Sequence, residues 1–553
     1  MNRMLISAAH KSSGKTMVSI GLCAALRARG HVVQPFKKGP DYIDPMWLSQ
    51  AAGRACRNLD LYLMERDDIA ATFARHSAEV NLVEGNKGLY DGLALDGSNS
   101  NAALAKLLDL PVFLVIDARG MTRGIAPLIL GYQAFDRDIN IAGVILNNLG
   151  GSRHEAKLRA VIEHYTGVPV IGAIHYDERL SIVERHLGLM PSNESHVAAA
   201  KIKQIGDAIA EQVDLDKLLA LSQKEPLDVP HQSPHSNSDG TTSHSTKPAS
   251  GQVAGYLPEG ERANVQWGKQ AIRSADARKS NFQFPAEVSP LPCGGKVRIG
   301  IARDRAFGFY YADDLDALEA AGAELVPFDA LRDACLPEVD ALYIGGGFPE
   351  TCAAELEANS VLRAQIKQAI ANGMPAYAEC GGLMYLSRSI EYQGKTFQMV
   401  GAIPGDVKMH DKPIGRGYVH LKEDEAHPWP RPRPLPIPSP ASGESAARGA
   451  KPGERERQSL IRAHEFHYSS LDNLPPDIRF AYHVERGYGI DGARDGLIVN
   501  NLLASYTHLR TIGSCYWATR FAAFVRRTWQ QKKLLAEQVA SVANKDNAPA
   551  VRM

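Results

Sequence analysis

Residues 4–16, MLISAAHKSSGKT, form a short apolar run that leads into small residues and ends on Gly-Lys-Thr. A helical pattern follows from Val18 to Arg29. Ala9 stands where the phosphate-binding pattern GxxxxGK[ST] usually has its first glycine. Small residues let backbone N–H groups approach phosphates, the lysine can reach the terminal phosphates, and the threonine hydroxyl can ligate Mg²⁺. A polar strand–helix turn is the alternative. The order strand, Gly-Lys-Thr, helix favours an ATP-binding P-loop formed by Ser13, Gly14, Lys15 and Thr16.

Short apolar runs alternate with helical patterns along most of the chain. In the first half we expect strands at Met4–Ala9, Val32–Phe36, Val80–Val83, Val112–Ile116, Ala142–Leu146 and Val168–Ile174. The rhythm restarts near Lys296, with strands expected at Val297–Ile301, Glu324–Pro327, Ala341–Ile344 and Pro375–Ala378. This βα alternation predicts an α/β protein in which a doubly wound, mostly parallel sheet is followed by a second α/β domain.

Changes in composition divide the chain into segments. We predict a P-loop domain at 1–222, a flexible linker at 223–295, a second domain at 296–527 and a C-terminal tail at 528–553. The linker is rich in Ser, His, Pro and Asn, and it offers too little apolar surface to offset the entropy of ordering it. Residues 427–456 are dense in proline, which excludes helix and sheet ladders and predicts a surface insertion in the second domain.

The overall composition narrows the class of protein. Lys and Arg total 62, as do Asp and Glu, so no global field favours nucleic acid or an anionic membrane. We find no secretory signal and no apolar run near the roughly 20 residues that span a bilayer. The seven cysteines include no CxxC pair, which predicts reduced thiols in the cytoplasm. Most would be inert core residues, as expected for Cys23, Cys335, Cys352 and Cys515.

Acidic residues follow the predicted strands of the P-loop domain. Asp41 and Asp44 lie in KKGPDYIDP after the second strand, Glu84 ends the third, and Asp91 comes seven residues later. Ligands in such sheets gather at the C-terminal ends of strands, so these acids can converge on the P-loop. Each could instead cap a helix or sit in a solvated loop. Asp44, which precedes a proline, is the one for which we favour that alternative.

Cys380 has the sequence context of a nucleophile. YAECGGL places it between a buried strand and a helix beginning near Leu383, where the helix N-terminus favours the thiolate. Gly381 leaves space for a substrate carbonyl and its oxyanion. The loop IGGGFPE, with Gly346 and Gly347, offers backbone donors for an oxyanion hole. His508, in SYTH near the chain end, is the candidate base.

The segment AHEFHY at 463–468 resembles a metal site at first sight. His464, Glu465 and His467 nevertheless lack a further ligand at a suitable spacing. Strand and substrate contacts are therefore the better interpretation.

Together these blocks resemble the cobyrinic acid a,c-diamide synthase family. The resemblance covers the chain to about Phe521, outside the linker and the proline-rich insertion, and KKGPDYIDP and IGGGFPE are its most specific parts. It rests on SSGKT, KKGPDYIDP, VEGNKGLYDG, ILNN, RHLGL, IGGGFPE, ECGGLMYL and HEFHYS. It implies a dethiobiotin-synthetase-like ATP domain joined to a class I, triad-type glutaminase domain.

The resemblance also implies an activity. Mg·ATP would phosphorylate the c and then the a carboxylate of a corrin, and ammonia released from L-glutamine would attack each acyl phosphate. By position in the motifs, Asp41 and Glu84 would serve the Mg·ATP centre. Tyr42 and Asp91 would lie beside the corrin carboxylates, and Asn148 near the base of ATP. Cys380 would attack glutamine and His508 would protonate the departing ammonia.

Some questions stay open at this point. Class I glutaminases carry His-x-Glu, whereas this chain has His508-Leu509-Arg510. The cobyrinic family that it resembles also lacks that glutamate. The sequence therefore does not identify the group that orients the histidine. Hydrogenobyrinic acid and nickel-sirohydrochlorin are alternative substrates that share the motifs. A P-loop regulatory ATPase fused to an inactive glutaminase fold is a more distant alternative. A homodimer is one possible assembly.

Overall fold

The computed structural model describes residues 1–182, 184–185, 188–193, 197–227, 296–430, 460–512 and 515–546. All of them belong to one compact unit of the chain. Most of the predicted linker, residues 228–295, lies outside the described residues, as does most of the predicted insertion, residues 431–459. The domain boundaries therefore stay predictions. In the described part of the chain, every helix is too short or too polar to cross a membrane.

The first half is a single parallel sheet with helices on both faces. Its strands are β1 (Asn2–Ala8), β2 (Val33–Lys38), β3 (Arg57–Leu59), β4 (Val80–Glu84), β5 (Val112–Asp117), β6 (Ile141–Leu149) and β7 (Val170–His175), with a small hairpin of β8 (Glu184–Arg185) and β9 (Gly188–Leu189). They lie in the order β3-β2-β4-β1-β5-β6-β7, and every neighbouring pair is parallel. The helices are α1 (Lys15–Ala28), α2 (Ile43–Ala52), α3 (Arg66–His76), α4 (Asn101–Leu107), α5 (Ile125–Phe135), α6 (Ser152–Thr166), α7 (Ala198–Gln212) and α8 (Leu215–Ser222).

The burial pattern of β1 explains why its centre, Met4–Ile6, is continuously apolar. Met4 and Ile6 pack into the core on one face of the sheet, whereas Leu5 packs into the core on the other. Helices cover both faces of a parallel sheet, so successive residues at the centre of the strand are apolar. The doubly wound, mostly parallel sheet predicted from the sequence is confirmed.

The second half is built on a mixed sheet of nine strands. Its order is β12-β10-β13-β15-β24-β23-β22-β19-β20, parallel from β12 to β24 and antiparallel beyond. The strands are β10 (Val297–Ala302), β12 (Ala323–Phe328), β13 (Ala341–Ile344), β15 (Ala376–Glu379), β19 (Gly415–Glu423), β20 (Leu460–His467), β22 (Arg479–Arg486), β23 (Arg494–Val499) and β24 (Leu502–Ser505). Two smaller sheets comprise β11 (Phe307–Phe309) with β14 (Gly346–Gly347), and β16 (Ser389–Tyr392), β17 (Lys395–Gln398), β18 (Asp406–Met409) and β21 (Ser469–Asp472).

The helices of this half are α9 (Ala312–Ala320), α10 (Ala353–Ala358), α11 (Ser360–Ala371), α12 (Gly381–Leu386) and α13 (Trp517–Asp546). Helix α13 continues through the boundary at 527 that the sequence predicts. Trp429, at the start of the predicted insertion, is buried against Tyr377 and Phe521, so this end of the segment belongs to the core. Cys335 is exposed, so the core interpretation is wrong for that residue.

Charged and aromatic side chains join the two halves. Arg57 of β3 forms ion pairs with Asp313 (2.9 Å) and Asp316 (2.6 Å) of α9. One potential ligand atom from each of His76, Asp313 and Asp316 lies within 4.8 Å of the others, but the guanidinium of Arg57 already pairs with both carboxylates. Such an arrangement is explained by an interdomain ion-pair cluster without a metal ion.

A second part of the interface uses tyrosines. The rings of Tyr62 and Tyr418 stack with centroids 4.1 Å apart, and the hydroxyl of Tyr418 donates to the carboxylate of Asp60 at 3.0 and 3.1 Å. The loops at the C-terminal edge of the first sheet therefore face the second half of the chain.

Candidate functional site

The P-loop connects β1 to α1 in a conformation that only a few residues can adopt. Gly14 has φ +90°, and a Cβ placed there would lie 2.1 Å from the side-chain nitrogen of Asn147. That nitrogen donates to the carbonyl of Ser13 at 3.0 Å, and the hydroxyl of Ser13 donates to the carbonyl of His10 at 2.9 Å. Both the backbone and the space exclude any side chain at this position. The loop is therefore fixed from the end of β6, by an asparagine that the sequence analysis did not single out.

Asn148, the neighbour of Asn147, has a left-handed φ of 58°, and its side chain contacts Asp117. Burial opposes ionisation of Asp117 at the end of β5, but hydrogen bonds from Arg119 and Asn148 outweigh this effect and lower its pKa. Asn148 therefore lies beside an acid at the neighbouring strand end. The structure therefore places Asn147 against the P-loop and Asn148 beside the end of β5.

Carboxylates from two strand ends converge on Thr16 and Lys37. The hydroxyl of Thr16 donates to Glu84 Oε1 at 2.6 Å and to Asp44 Oδ2 at 3.3 Å. The ammonium group of Lys37 lies 2.5 Å from Asp44, 3.0 Å from Glu84 and 3.6 Å from Asp41. The predicted convergence of acids on the P-loop is present, and a buried lysine at its centre was missed. Its only sequence signal was a lysine at the end of a buried strand.

Asp41 and Asp44 make different contacts at the start of α2. Asp41 Oδ1 accepts hydrogen bonds from the backbone N–H groups of Ile43 (3.0 Å) and Asp44 (3.2 Å), as a helix-capping residue does. Asp44 lies inside the first turn of α2 and its carboxylate faces Lys37. The interpretation of Asp44 as a helix cap or a solvated loop acid was therefore wrong, because the direction of the helix turns its side chain into the cluster.

Burial and charge set the protonation of this cluster. Burial opposes the charged form of Lys37, but Asp44, Glu84 and Asp41 outweigh it and raise its pKa well above the usual value. Burial, with a smaller contribution from Asp44, raises the pKa of Asp41 to about 7. Burial likewise raises the pKa of Glu84 and lowers that of Lys15. An incoming cation would compete with Lys37 for the same carboxylate oxygens.

The two residues expected beside the acceptor substrate lie on different sides. Asp91 Oδ2 accepts a hydrogen bond from the N–H of Gly88 at 2.8 Å, and its charge acts on Lys15. Tyr42 is buried between the halves, where its ring contacts those of Phe309 (5.3 Å), Tyr311 (4.4 Å), His464 (5.7 Å) and His508 (5.1 Å). Asp91 therefore faces the P-loop side, whereas Tyr42 faces the second half of the chain.

Cys380 occupies a strained turn between β15 and α12. Its φ of 49° and ψ of −104° are unusual for a residue with a side chain, as in strand–turn–helix nucleophile sites. Helix α12 begins at Gly381, earlier than expected. A Cβ on Gly382 would lie 2.1 Å from the carbonyl oxygen of Ile344, and one on Gly381 would lie 2.9 Å from Gly347 N. The two glycines allow the turn to pack against the Gly346–Gly347 loop, as the predicted oxyanion site requires.

His508 follows β24 and is 3% exposed. The backbone N–H of His508 donates to the backbone carbonyl of His464 at 2.8 Å, and the two imidazole rings stack with centroids 5.0 Å apart. A Cβ on Gly346 would lie 2.7 Å from ring atom Cε1 of His508, so the histidine adjoins the predicted oxyanion loop. Burial opposes its charged form, but Cys380 and Glu379 outweigh this effect and raise its pKa to about 10. The predicted nucleophile and base are therefore neighbours.

One more carboxylate belongs to this centre. Glu379 Oε2 lies 3.5 Å from His508 Nδ1, and both side chains are almost fully buried. Arg510, two residues after His508, instead donates to the carbonyl of Asn58 at 3.2 Å and pairs with Asp313 at 3.1 Å. Glu379 was not predicted from the sequence as part of this centre, although its place directly before Cys380 was a signal.

The HEFHY segment forms β20 and supports this centre without a metal-like geometry. Glu465 accepts hydrogen bonds from the N–H groups of Tyr488 (2.7 Å) and Gly489 (2.8 Å). His467 stacks on Tyr506 at 3.9 Å. Burial and the neighbouring His508 lower the pKa of His464 well below its usual value. These contacts agree with the interpretation as a structural strand.

Comparison with known proteins supports both halves. Residues 5–189 match the model of the CobQ/CobB/MinD/ParA nucleotide binding domain, and residues 298–514 match that of the CobB/CobQ-like glutamine amidotransferase domain. The cobyrinate a,c-diamide synthase of Magnetococcus marinus is 41% identical over 533 residues, which cover 96% of this chain and 97% of that protein. The enzyme of the same name from Methanosarcina acetivorans is 40% identical over 530 residues, or 92% of each chain.

A third relative, the cobyrinate a,c-diamide synthase of Archaeoglobus fulgidus, is 36% identical over 524 residues, which cover 94% of this chain and 96% of that protein. Similarity of this kind extends through both halves and through both reactive centres. The resemblance expected from the motifs is confirmed. The chain belongs to the cobyrinate a,c-diamide synthase family.

Proposed function

We propose that this enzyme uses ATP to amidate the a and c carboxylates of cobyrinic acid with ammonia released from glutamine. One observation carries the proposal: the loop that brings Asp41 and Asp44 to Lys37 beside the P-loop also carries Tyr42, whose ring contacts His508 of the Cys–His centre. Relatives similar along almost their whole length bear the name cobyrinate a,c-diamide synthase. A regulatory ATPase with an inactive glutaminase fold would not require the Cys–His pair.

The P-loop half would activate the acceptor. A carboxylate is a poor acyl donor because its leaving group is an oxide, and transfer of the γ-phosphoryl group gives it a phosphate leaving group. Lys15 and the N–H groups of the loop would hold the phosphates and stabilise their charge during transfer. Ammonia then forms the new C–N bond, the C–O bond to phosphate breaks, and the nitrogen loses a proton.

Thr16, Asp41, Asp44 and Glu84 fit a magnesium ion. All four offer oxygen ligands, which Mg²⁺ prefers, and Glu84 Oε2 is buried without a hydrogen-bond partner among the described residues. When bound, Mg²⁺ neutralises charge on the phosphate oxygens. Binding of the ion through Asp44 Oδ2 or Glu84 Oε1 would displace Lys37, which contacts these two oxygens, whereas Glu84 Oε2 is open to it.

The second half would supply ammonia. The thiolate of Cys380 attacks the amide carbon of glutamine, the C–N bond breaks, and His508 gives its proton to the departing nitrogen. Water then attacks the thioester, His508 accepts its proton, and glutamate leaves as the thiolate is restored. Backbone N–H groups around Gly346, Gly347 and Gly381 would stabilise the oxyanion.

The remaining site assignments are proposals of the same kind. Asp91 lies on the P-loop side, where its charge acts on Lys15, which supports a role near the acceptor carboxylate. Asn148 lies at the end of β6, which supports a position near the base of ATP. Tyr42 faces the second half, so its contact with the acceptor stays a prediction, as do a homodimer and a cytoplasmic location.

The test is a direct assay of the purified protein. We expect cobyrinic acid, MgATP and glutamine to give the a,c-diamide with two ATP consumed per corrin. Hydrogenobyrinic acid and nickel-sirohydrochlorin, offered under the same conditions, should be amidated more slowly. A faster reaction with either would change the substrate, and no amidation of any tetrapyrrole would overturn the proposal.

A further inference from the structure

The histidine of the glutaminase centre needs a partner for its second ring nitrogen. A general base acts through one nitrogen, and a hydrogen bond at the other fixes the tautomer and the ring orientation. His508 Nδ1 is buried and has no aligned hydrogen bond to any described residue. The residue two positions later is Arg510, which contacts Asn58 and Asp313 across the domain interface. Its guanidinium therefore cannot serve His508.

Glu379 is the carboxylate nearest that nitrogen. Among the described residues it is the one acid within 4.0 Å of a His508 ring nitrogen, with Oε2 3.5 Å from Nδ1. The register of β15 and β24 explains this proximity, because Glu379 pairs with Ser505 and His508 follows three residues later. The next residue after Glu379 is the nucleophile. A distance slightly longer than a hydrogen bond is usual for such contacts before the substrate binds.

The protein also holds the Glu379 carboxylate in place. The hydroxyl of Tyr377 donates to Oε1 at 2.6 Å, the N–H of Leu509 donates to Oε1 at 3.0 Å, and the hydroxyl of Tyr343 donates to Oε2 at 3.2 Å. Each of these groups is a donor and carries no positive charge, so Oε2 retains a lone pair for a further donor. The bond from Leu509 also ties the carboxylate to the segment that carries His508.

We propose that Glu379 is the positioning residue of the glutaminase centre. Its carboxylate accepts the Nδ1 proton of His508 and thereby turns Nε2 toward Cys380, so that this nitrogen exchanges the proton with the leaving ammonia and with water. Glu379 itself neither touches glutamine nor changes its protonation. The proposal rests on the proposed glutaminase function of Cys380 and His508.

The first test is Glu379→Gln, which keeps the size of the side chain and removes its charge. We expect kcat for glutamine hydrolysis to fall about 100-fold or more, as when the acid that orients a catalytic histidine is neutralised. KM for glutamine should stay within about threefold, because Glu379 does not contact glutamine. A kcat within about threefold of the wild type would overturn the proposal.

Asp495→Asn is the matched control. Asp495 is a fully buried acid of the same sheet and accepts hydrogen bonds from the N–H groups of Tyr506 and Thr507, next to His508. A purely structural role of Glu379 would give both variants the same defect. We expect Asp495→Asn to reduce kcat much less than Glu379→Gln does. Equal losses in the two variants would contradict a positioning role.

The pH dependence of Cys380 alkylation by iodoacetamide provides a readout that would not change if Glu379 had a purely structural role. The titratable groups that face the His508 ring are Glu379 at the end of β15, Cys380 beside it, His464 from β20 and Tyr42 from the loop before α2. Arg510, from the same segment as His508, acts on the ring of His464. Because Cys380 and Glu379 both raise the pKa of His508, Glu379→Gln should lower it, and the thiolate–imidazolium pair should persist over a narrower pH range.

In the wild type we expect His508 to keep its proton up to a pH of about 10, and the rate of Cys380 alkylation should change where that proton is lost. In Glu379→Gln this inflection should move to lower pH by about one unit or more, since an opposite charge at this distance shifts a titration by about 1–3 units. Asp495→Asn should leave the inflection where it is. An unchanged inflection in Glu379→Gln would overturn the proposal.

Cys380→Ser separates failure of this inference from failure of the proposed function. If Cys380→Ser abolishes glutamine hydrolysis while Glu379→Gln does not affect it, only the role of Glu379 is wrong. If Cys380→Ser still hydrolyses glutamine, the glutaminase centre itself is misassigned.

Discussion

In the P-loop half three carboxylates surround the ammonium group of Lys37, whereas in the glutaminase half the carboxylate of Glu379 is held by two tyrosine hydroxyls and one backbone N–H. The first arrangement balances charge with charge, and a bound cation would have to rearrange it. The second is aligned by neutral donors and needs no ligand to be in place. The comparison indicates one centre that ligand binding organises and one that the fold organises beforehand.

The largest effect should follow from Lys15→Ala. The substitution removes a phosphate contact that matters most during phosphoryl transfer, so synthesis should fall at least about 10²–10³-fold with either glutamine or ammonia. Glutamine hydrolysis, measured as glutamate formed, should survive because its centre is aligned without ATP. Loss of hydrolysis to the same extent would show that the second centre also depends on the first.

Lys37→Met tests the charge-balanced centre. Removing the ammonium leaves the buried acids Asp44 and Glu84 without their cation, which should lower the free energy of unfolding by about 3–5 kcal/mol. Urea unfolding at pH 8 measures this change. Lys38→Met is the matched control, because Lys38 is a buried lysine whose ammonium group donates to Asn86 at 3.2 Å. This substitution should lower the free energy of unfolding by only about 1 kcal/mol. Equal losses would contradict the described cluster.

Smaller effects are expected at Tyr42, which lies between Asp41 and Asp44 in sequence and contacts the ring of His508. Its hydroxyl is buried without an aligned hydrogen bond to a described residue, so Tyr42→Phe should change the free energy of unfolding by less than about 1 kcal/mol. Tyr42→Ala removes the ring packed against Phe309, Tyr311 and His508 and should cost about 3 kcal/mol. It should also raise the glutamine hydrolysed per amide formed. An unchanged ratio would show that this contact does not couple the centres.

Local patterns predicted the parallel sheet and the positions of both loops. Strand β1 was expected at Met4–Ala9 and lies at Asn2–Ala8. It could be predicted because a strand buried on both faces has an apolar run at its centre. The P-loop and the Cys380 turn depend on glycines and on strand–turn–helix order, which are also local signals. These features need no knowledge of residues distant in sequence.

Contacts between distant residues could not be predicted in this way. Lys37 meets Glu84 across 47 residues, and Glu379 meets Leu509 across 130 residues through the pairing of β15 with β24. The side chain of Asp44 faces the acid cluster only because of the direction in which α2 leaves the sheet. Each of these depends on sheet order and helix direction, which the local sequence does not specify.

If two chemically separate centres cooperate in one chain, the variant Cys380→Ser should separate their activities. Amide formation is measured with MgATP and the tetrapyrrole acceptor, first with glutamine and then with ammonium chloride at a pH that supplies free ammonia. We predict that the variant loses glutamine-dependent synthesis and retains ammonia-dependent synthesis at close to the wild-type rate. Loss of both activities in a folded variant would contradict the separation of the two centres.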